Sequence, residues 1–231
     1  MTRAVTTLIT GANKGIGFET ARQLIMAGHA VWLGCRDQAR GERAAEELGG
    51  RFVQLDVTDD ASVDAAVQAV GSLDVLVNNA GIMDWPWTPA GEVTPGLIQR
   101  LYDTNVVGLV RTMHAFLPLL AQSANPVVVN VGSSLGSLGR VTTEGLPESG
   151  IPAVAYGSSK AAVTMITVHY AKAFPKMRIN CVDPGYTATD LNGNSGFQSA
   201  ATAAGIIAQM ACLDPDGPTG TYRDVHGPLP W

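Results

Sequence analysis

The sequence predicts a doubly wound α/β fold, a parallel sheet with helices on both faces, and three observations carry the prediction. Short β-branched, apolar runs alternate with segments of helical periodicity, the pattern of repeated strand–helix–strand units. A glycine-rich turn stands between the first such run and the first helical segment. No internal repeat, low-complexity tract or Pro/Gly-rich linker divides the 231 residues, so 1–231 is expected to form a single domain, within the size of one large α/β unit.

Strands are expected at Val5–Ile9, Ala30–Leu33, Phe52–Leu55, Val75–Val77, Val127–Val131 and Ile179–Val182, where apolar and β-branched residues cluster. Between them, Ile16–Met26, Ala39–Leu48, Ser62–Val70, Leu97–Leu120 and Val154–Phe174 space their apolar residues as helices do. Pro118 should kink or end the fourth helix, because proline lacks the amide proton. The irregular stretches Ile82–Pro95, Ser134–Pro152 and Tyr186–Gln198 each follow a strand. They should gather at the carboxyl edge of the sheet, where open α/β folds bind ligands.

Composition narrows the function classes. With 46% hydrophobic and 15% charged residues, the chain can bury a large core and is not expected to be disordered. A net charge of −5 offers no electrostatic footprint for nucleic acid or an anionic membrane, which leaves a small molecule as the expected partner. Cys35, Cys181 and Cys212 are odd in number and widely spaced, so neither a disulfide framework nor a zinc site is expected. His29, His114, His169 and His226 have no metal-ligand spacing either. The chain enters Gly11 from Met1 without the long apolar region of a secretory signal, and no apolar run is long enough for a bilayer. A soluble, cytoplasmic protein is expected.

The turn reads Thr10-Gly11-Ala12-Asn13-Lys14-Gly15-Ile16-Gly17. Glycines allow close backbone approach, and the helix N-terminus offers free amides to a pyrophosphate, so a dinucleotide is the leading ligand. Tyr156 and Lys160 lie four positions apart in a helical pattern and share one face. A phenol titrates near 10 in water, and a neighbouring ammonium favours its anion, so the pair suits proton transfer.

The spacing Gly-x-x-x-Gly-x-Gly resembles that of the short-chain dehydrogenase/reductase family. Asp56, Asn78-Asn79-Ala80-Gly81, Asn105, Ser133, Tyr156 with Lys160, and Pro184-Gly185 follow in the family's order over nearly the whole chain. The resemblance implies a Rossmann-type fold and hydride transfer between a nicotinamide and a carbonyl or alcohol, with Tyr156 as general acid/base. Ser133 is implied to hold the substrate oxygen, although Ser134 competes for that role. Lys160 is implied to orient the nicotinamide ribose, and Asn105 to help hold a water leading to the lysine. The same likeness assigns cofactor contacts to Gly11, Asn13, Lys14, Gly15, Ile16, Gly17, Asp56, Val57, Asn79, Ala80, Gly81, Tyr156, Lys160, Pro184, Gly185, Thr187 and Thr189. Asp56 could equally start a helix, since Thr58 and Asp59 also favour capping.

Cys35 stands where the family's NAD-preferring members commonly carry an acid, and Arg36 follows it. A guanidinium pairs well with a 2′-phosphate. Arg36 with Lys14 therefore resembles the NADPH-dependent carbonyl reductases, and NADPH/NADP+ is the expected cofactor. Two alternatives stay open: an NAD-linked alcohol dehydrogenase and a non-catalytic NADPH-sensing regulator. Ser133 and Tyr156 are 23 positions apart, longer than the family's usual spacing. An insertion over Arg140–Ile151 resembles one in monomeric carbonyl reductases, so a monomer is favoured and a homo-oligomer left open. Trp85, Trp87, Met83, Tyr186 and Phe197 in the carboxyl-edge loops fit an apolar or aromatic carbonyl substrate. The few residues after Thr189 point to an open pocket, and Gly217–Trp231 resembles the family's last strand and tail.

Overall fold

The computed structural model describes residues 4–231. One eight-stranded sheet runs in the order β3-β2-β1-β4-β5-β6-β7-β8. Its strands are β1 (Thr6–Thr10), β2 (Ala30–Cys35), β3 (Arg51–Gln54), β4 (Val75–Asn78), β5 (Val127–Val131), β6 (Arg178–Val182), β7 (Tyr222–Asp224) and β8 (Gly227–Pro228). All neighbours pair in parallel except β7 with β8. Every residue of β1, β4 and β5 is buried, as expected of strands with helices on both faces. The chain returns past β1 between β3 and β4, which places the switch point, and hence the crevice, at the carboxyl ends of β1 and β4.

Two core layers sandwich the sheet. On one face Leu8, Leu76, Val128 and Ile179 pack with Met113, Phe116 and Val163. These last come from α5 (Gly108–Leu120) and α7 (Val154–Ala173). On the other, Ile9, Leu33, Val77 and Val129 meet residues of α1 (Gly15–Met26), α2 (Gln38–Leu48) and α8 (Ala200–Ala211). Local chemistry starts the helices where the strands release the chain. Asp37 caps α2 by accepting from the Arg40 amide, and Asp59 caps α3 (Asp60–Val70) by accepting from Ala61. Thr94, followed by Pro95 in the first turn, opens α4 (Pro95–Tyr102).

Two departures from the sequence expectation bear on the site. The continuous helix expected over Leu97–Leu120 is interrupted: α4 passes through a π-helical turn at Asp103–Val107 before α5 begins. The widened turn accompanies withdrawal of the Asn105 side chain into hydrogen bonds with Ile82. Pro118 is accommodated in the last turn of α5, which ends two residues later. The second departure is α8, absent from the sequence reading. It packs beside α1 on the sheet through Ala203, Ala204, Ile206, Ile207, Met210 and Ala211, but its solvent stripe of Ala201, Thr202, Gly205 and Gln209 is only weakly polar, so the amphipathic contrast is faint. Its one legible signal was Ser199, whose hydroxyl caps it by accepting from the Thr202 amide.

The segment expected to hold an insertion, Arg140–Ile151, is folded. It contains the end of α6 (Leu138–Val141) and a short turn at Pro147–Gly150, clasped by a two-point ion pair from Arg140 to the buried Glu148 at 3.0 and 3.2 Å. Ser137 Oγ donates to the Pro230 carbonyl and the Gly139 amide to that of Trp231. Trp231 in turn lies over Tyr222, ring centroids 5.7 Å apart. Among the described residues, no helix is long and apolar enough to cross a membrane.

Candidate active site

The residues singled out in the sequence converge on the carboxyl edge of the sheet. Gly11, Asn13, Lys14, Gly15, Ile16 and Gly17 form the turn from β1 into α1, and Arg36 follows β2. Asp56 and Val57 follow β3, Asn79, Ala80 and Gly81 follow β4, Ser133 follows β5, and Pro184, Gly185, Thr187 and Thr189 follow β6.

Asn79 braces the glycine-rich turn. Its Nδ2 donates to the carbonyls of Thr10 (2.9 Å) and Gly11 (3.2 Å), while Thr10 Oγ1 accepts from the amides of Asn79 and Ala80. This strut presses against Gly17: a Cβ there would stand 2.5 Å from Asn79 Nδ2 and 2.6 Å from the Gly11 oxygen. Helix α1 starts behind the turn with no side-chain cap, so its first amides are available to an anion. Beside them, Asn13, Lys14, Arg40 and Arg43 line one depression with Phe18. Lys14 Nζ meets Asp190 at 2.9 Å, an exposed pair reaching across to the loop after β6.

A dinucleotide fits these residues: a glycine cradle that a side chain would fill, a bare helix start, and a cationic flank. Position 35 itself carries no acid: Cys35 is buried and its thiol is pushed up to about 12, chiefly by that burial, while Asp37 pairs with Arg40 at 3.6 Å and Glu47 lines the same depression. Arg40 escaped the sequence reading. It stands in the first turn of α2, just beyond the Asp37 cap, with Arg43 three positions on lining the same depression.

Asp56 starts the turn into α3. Burial works against its carboxylate, but the Thr58 hydroxyl and amide, with Arg36 and Arg111, hold it below the usual range. Val57 is buried, its carbonyl accepting from Arg111 at 2.5 Å and its side chain lying against Gly108.

Tyr156 and Lys160 are both buried on one face of α7, with Lys160 Nζ 5.6 Å from the centre of the phenol ring. Lys160 donates to the Val131 carbonyl at 2.8 Å. Gly136 allows the turn after β5 to lie directly on α7, since a Cβ there would come within 2.5 Å of the Lys160 backbone. That approach brings the Ser133 hydroxyl beside the Tyr156 phenol, where it favours the phenolate against burial. Ser134 turns away toward the Asp183 and Glu148 carboxylates, favouring the charged form of each, so Ser133 is the serine beside the phenol.

Asn105 receives the Ile82 amide at 2.8 Å and donates to the Ile82 carbonyl and to Ser159 Oγ. A cavity of about 10 Å³, at the lower limit for one water, lies between Asn105, Thr104, Asn78 and Lys160.

Burial, reinforced by the Asp183 carboxylate, pushes the Tyr156 phenol above its ordinary value, with Ser133 opposing. Burial lowers Lys160 to about 8, against the attraction of Cys181 and Asp183. The protein alone thus holds Tyr156 as a neutral acid, a different resting state from the phenolate that a neighbouring ammonium favours. Asp183, also missed from sequence, is buried, its own pKa is raised by that burial, and its Oδ1 accepts from the Gly185 amide at 2.9 Å.

The loop after β6 is short but braced. Thr187 Oγ1 donates to the Gly185 carbonyl, Gln198 holds Pro184 and Thr187, and buried Asn192 ties Thr187 to Thr189. A Cβ on Gly15 would lie 3.6 Å from Thr189, and one on Gly193 would lie 3.5 Å from Trp85. The loop therefore touches both sides of the crevice, where its length alone had pointed to an open pocket.

The model of the short chain dehydrogenase family matches residues 5–199. The chain is 32% identical to a (+)-neomenthol dehydrogenase of Capsicum annuum, covering 93% of this chain and 94% of that protein. Among solved structures it resembles salutaridine reductase from Papaver somniferum, with TM-score 0.83 and 29% identity over 96% of this chain and 99% of that one. A 3-ketoacyl-(acyl-carrier-protein) reductase from Brucella melitensis, solved with NADH, superposes with TM-score 0.84 and 28% identity over 96% of each chain. With its crevice at the β1–β4 switch point and this match over most of its length, the chain belongs to the short-chain dehydrogenase family.

Proposed function

We propose that the protein is an NADPH-dependent carbonyl reductase, working as one dinucleotide-binding and catalytic domain. The observation that carries this reading is the buried, neutral Tyr156, with the Ser133 hydroxyl beside it and Lys160 behind it. A nicotinamide dinucleotide bound along the crevice supplies hydride chemistry that side chains lack. The chain supplies the rest. Ser133 and Tyr156 present two hydroxyls to one substrate oxygen, which polarises a carbonyl as charge builds on that oxygen. Tyr156 Oη then gives up its proton to the forming alkoxide, and a raised pKa keeps that proton in place until the oxygen becomes basic. Lys160 stabilises the phenolate left behind, and the cavity beside Asn105 offers a place for a water to return the proton.

The Asn79 strut holds the glycine-rich turn, and Asp183 shapes the Pro184-Gly185 turn for the nicotinamide end. Thr187 and Thr189 brace that turn toward Gly15. Arg36, Arg40 and Lys14, with no acid at Cys35, favour a 2′-phosphate over a bare ribose hydroxyl. The relatives' names, neomenthol dehydrogenase and salutaridine reductase, are in keeping with ketone and alcohol chemistry. A cytoplasmic monomer is part of the same reading, the folded insertion covering a surface near α7.

The test is oxidation of NADPH and of NADH over a panel of aliphatic and aromatic aldehydes, ketones and diketones, with Tyr156→Phe as control. NADPH-dependent turnover that the variant loses by at least about a thousandfold, with cofactor affinity retained, is the expected result. Turnover with NADH alone would select the NAD-linked alcohol dehydrogenase. Tight cofactor binding without turnover of any compound would select a sensor.

A further inference from the structure

The crevice carries aromatic side chains that the proton-transfer machinery does not use. Trp87 lies against the catalytic tyrosine, ring centroids 5.9 Å apart and planes inclined by 37°. Trp85 stands edge-on to Trp87 at 5.2 Å and 82°. Around them Met83, Leu135 and Ile151 belong to the same apolar cluster as Tyr156. Gly193 brings the loop after β6 under the Trp85 indole. That loop carries a second aromatic pair, Tyr186 and Phe197, at 5.8 Å and near-perpendicular. Tyr186 is pinned through its hydroxyl to Ser195 at 2.6 Å, and Phe197 is 85% exposed.

A tryptophan filling a core would be enclosed. Here Trp85, Tyr186, Leu191 and Phe197 all expose large apolar area, and they belong to the two loops that border the crevice. Clustered exposure of this kind marks a binding surface. Of the acids nearest to them, Asp84 between Met83 and Trp85 is buried and accepts from the Thr88 amide, and Asp190 in the loop after β6 is paired with Lys14.

We infer that Trp87, supported by Trp85, is a specificity-determining residue that selects neutral cyclic or aromatic ketones over open-chain ones. The inference rests on the carbonyl reductase reading. A carbonyl oxygen held by Ser133 and Tyr156 leaves its carbon skeleton within reach of the Trp87 ring. The perpendicular indole pair offers one flat face and one edge, a corner that a ring fills in a single conformation. A flexible chain gains the same contacts only by giving up torsional freedom. Preference for a ring thus arises from shape and ordering rather than from a hydrogen bond, which limits it to tens rather than thousands.

The experiment compares cyclohexyl methyl ketone with n-hexyl methyl ketone, which share carbon count and reacting group, in the protein saturated with the cofactor it turns over. The cyclic ketone is expected to have a kcat/KM about tenfold or more above its open-chain partner. Trp87→Ala should cut that ratio by about tenfold, mostly through KM, while Trp87→Phe keeps most of it. Trp85→Ala, at the more exposed rim, should give a smaller loss in the same direction and covers the case in which Trp87→Ala does not fold. A wild-type ratio near one overturns the inference. So does an equal fall in kcat for both ketones in Trp87→Ala, which would make Trp87 a prop for Tyr156. Turnover of neither ketone nor any aldehyde, with either cofactor, would instead remove the reductase reading itself.

Discussion

Replacing Gly17 by alanine should dismantle the strut that joins the glycine-rich turn to β4. The added methyl would sit 2.5 Å from Asn79 Nδ2, 2.6 Å from the Gly11 oxygen and 3.1 Å from Ala12 Cα. Asn79 must move, giving up its hydrogen bonds to Thr10 and Gly11, each worth about 0.5–1.5 kcal/mol. The backbone contacts add an overpacking cost of about 1–3 kcal/mol. Alanine's better helix propensity in α1 returns at most about 1 kcal/mol. The net loss is about 1–6 kcal/mol, about 3 at mid-range, read as a lower urea midpoint at unchanged slope, together with weaker cofactor binding.

Two further variants sharpen that measurement. Asn79→Ala alone should cost about 1–3 kcal/mol, and the double variant should lose less than the two added together, because both remove the same strut. It should not recover, because the clash with the Gly11 oxygen remains. Gly205→Ala, within α8 and with open space around the position, should stabilise by about 0.5–1 kcal/mol. A Gly17→Ala protein within about 1 kcal/mol of wild type, binding cofactor normally, would refute the reasoning.

Arg36→Ala and Arg40→Ala should each raise the KM for NADPH about tenfold while changing that for NADH less than about twofold, and Cys35→Asp should shift preference toward NADH; steady-state kinetics with both cofactors checks this. The folded-state pKa of Lys160 is lowered to about 8 from 10.5, so the unfolded chain binds more protons between those values and this residue's destabilising contribution shrinks as pH rises through that window. Urea midpoints of wild type and Lys160→Met, compared near pH 7 and pH 10, should show that slope only in the wild type. Arg140→Ala strands the buried Glu148 and should cost about 1–3 kcal/mol. Glu148 is held below 4.5 by its hydrogen bonds and Arg140 against the cost of burial, so the stability it contributes is present above that value and is lost as pH falls through the lowered one. The Arg140→Ala penalty should accordingly fade in acid.

The sequence by itself determined six of the eight strands, β1 to β6, helices α1 to α3 and α7, and the chain positions that meet at the carboxyl edge. Apolar β-branched runs, the capping residue Asp59, and the spacing of Tyr156 and Lys160 are local signals, and local signals survive without a fold. Only the tertiary structure decided the rest. Helix α8 is legible once it is seen packed beside α1 on the sheet, because its solvent stripe of Ala201, Thr202, Gly205 and Gln209 is too weakly polar to mark a face. The π-turn depends on a bond between Asn105 and Ile82, 23 residues apart. The neutral state of Tyr156 depends on burial and on Asp183, neither of which lies near it in sequence. Ser133 differs from Ser134 only by which way a turn faces α7, and Gly136 sets that turn through a close approach to the Lys160 backbone. Proton affinity, close approach and aromatic contact are properties of distances between elements, and packing the elements together creates those distances.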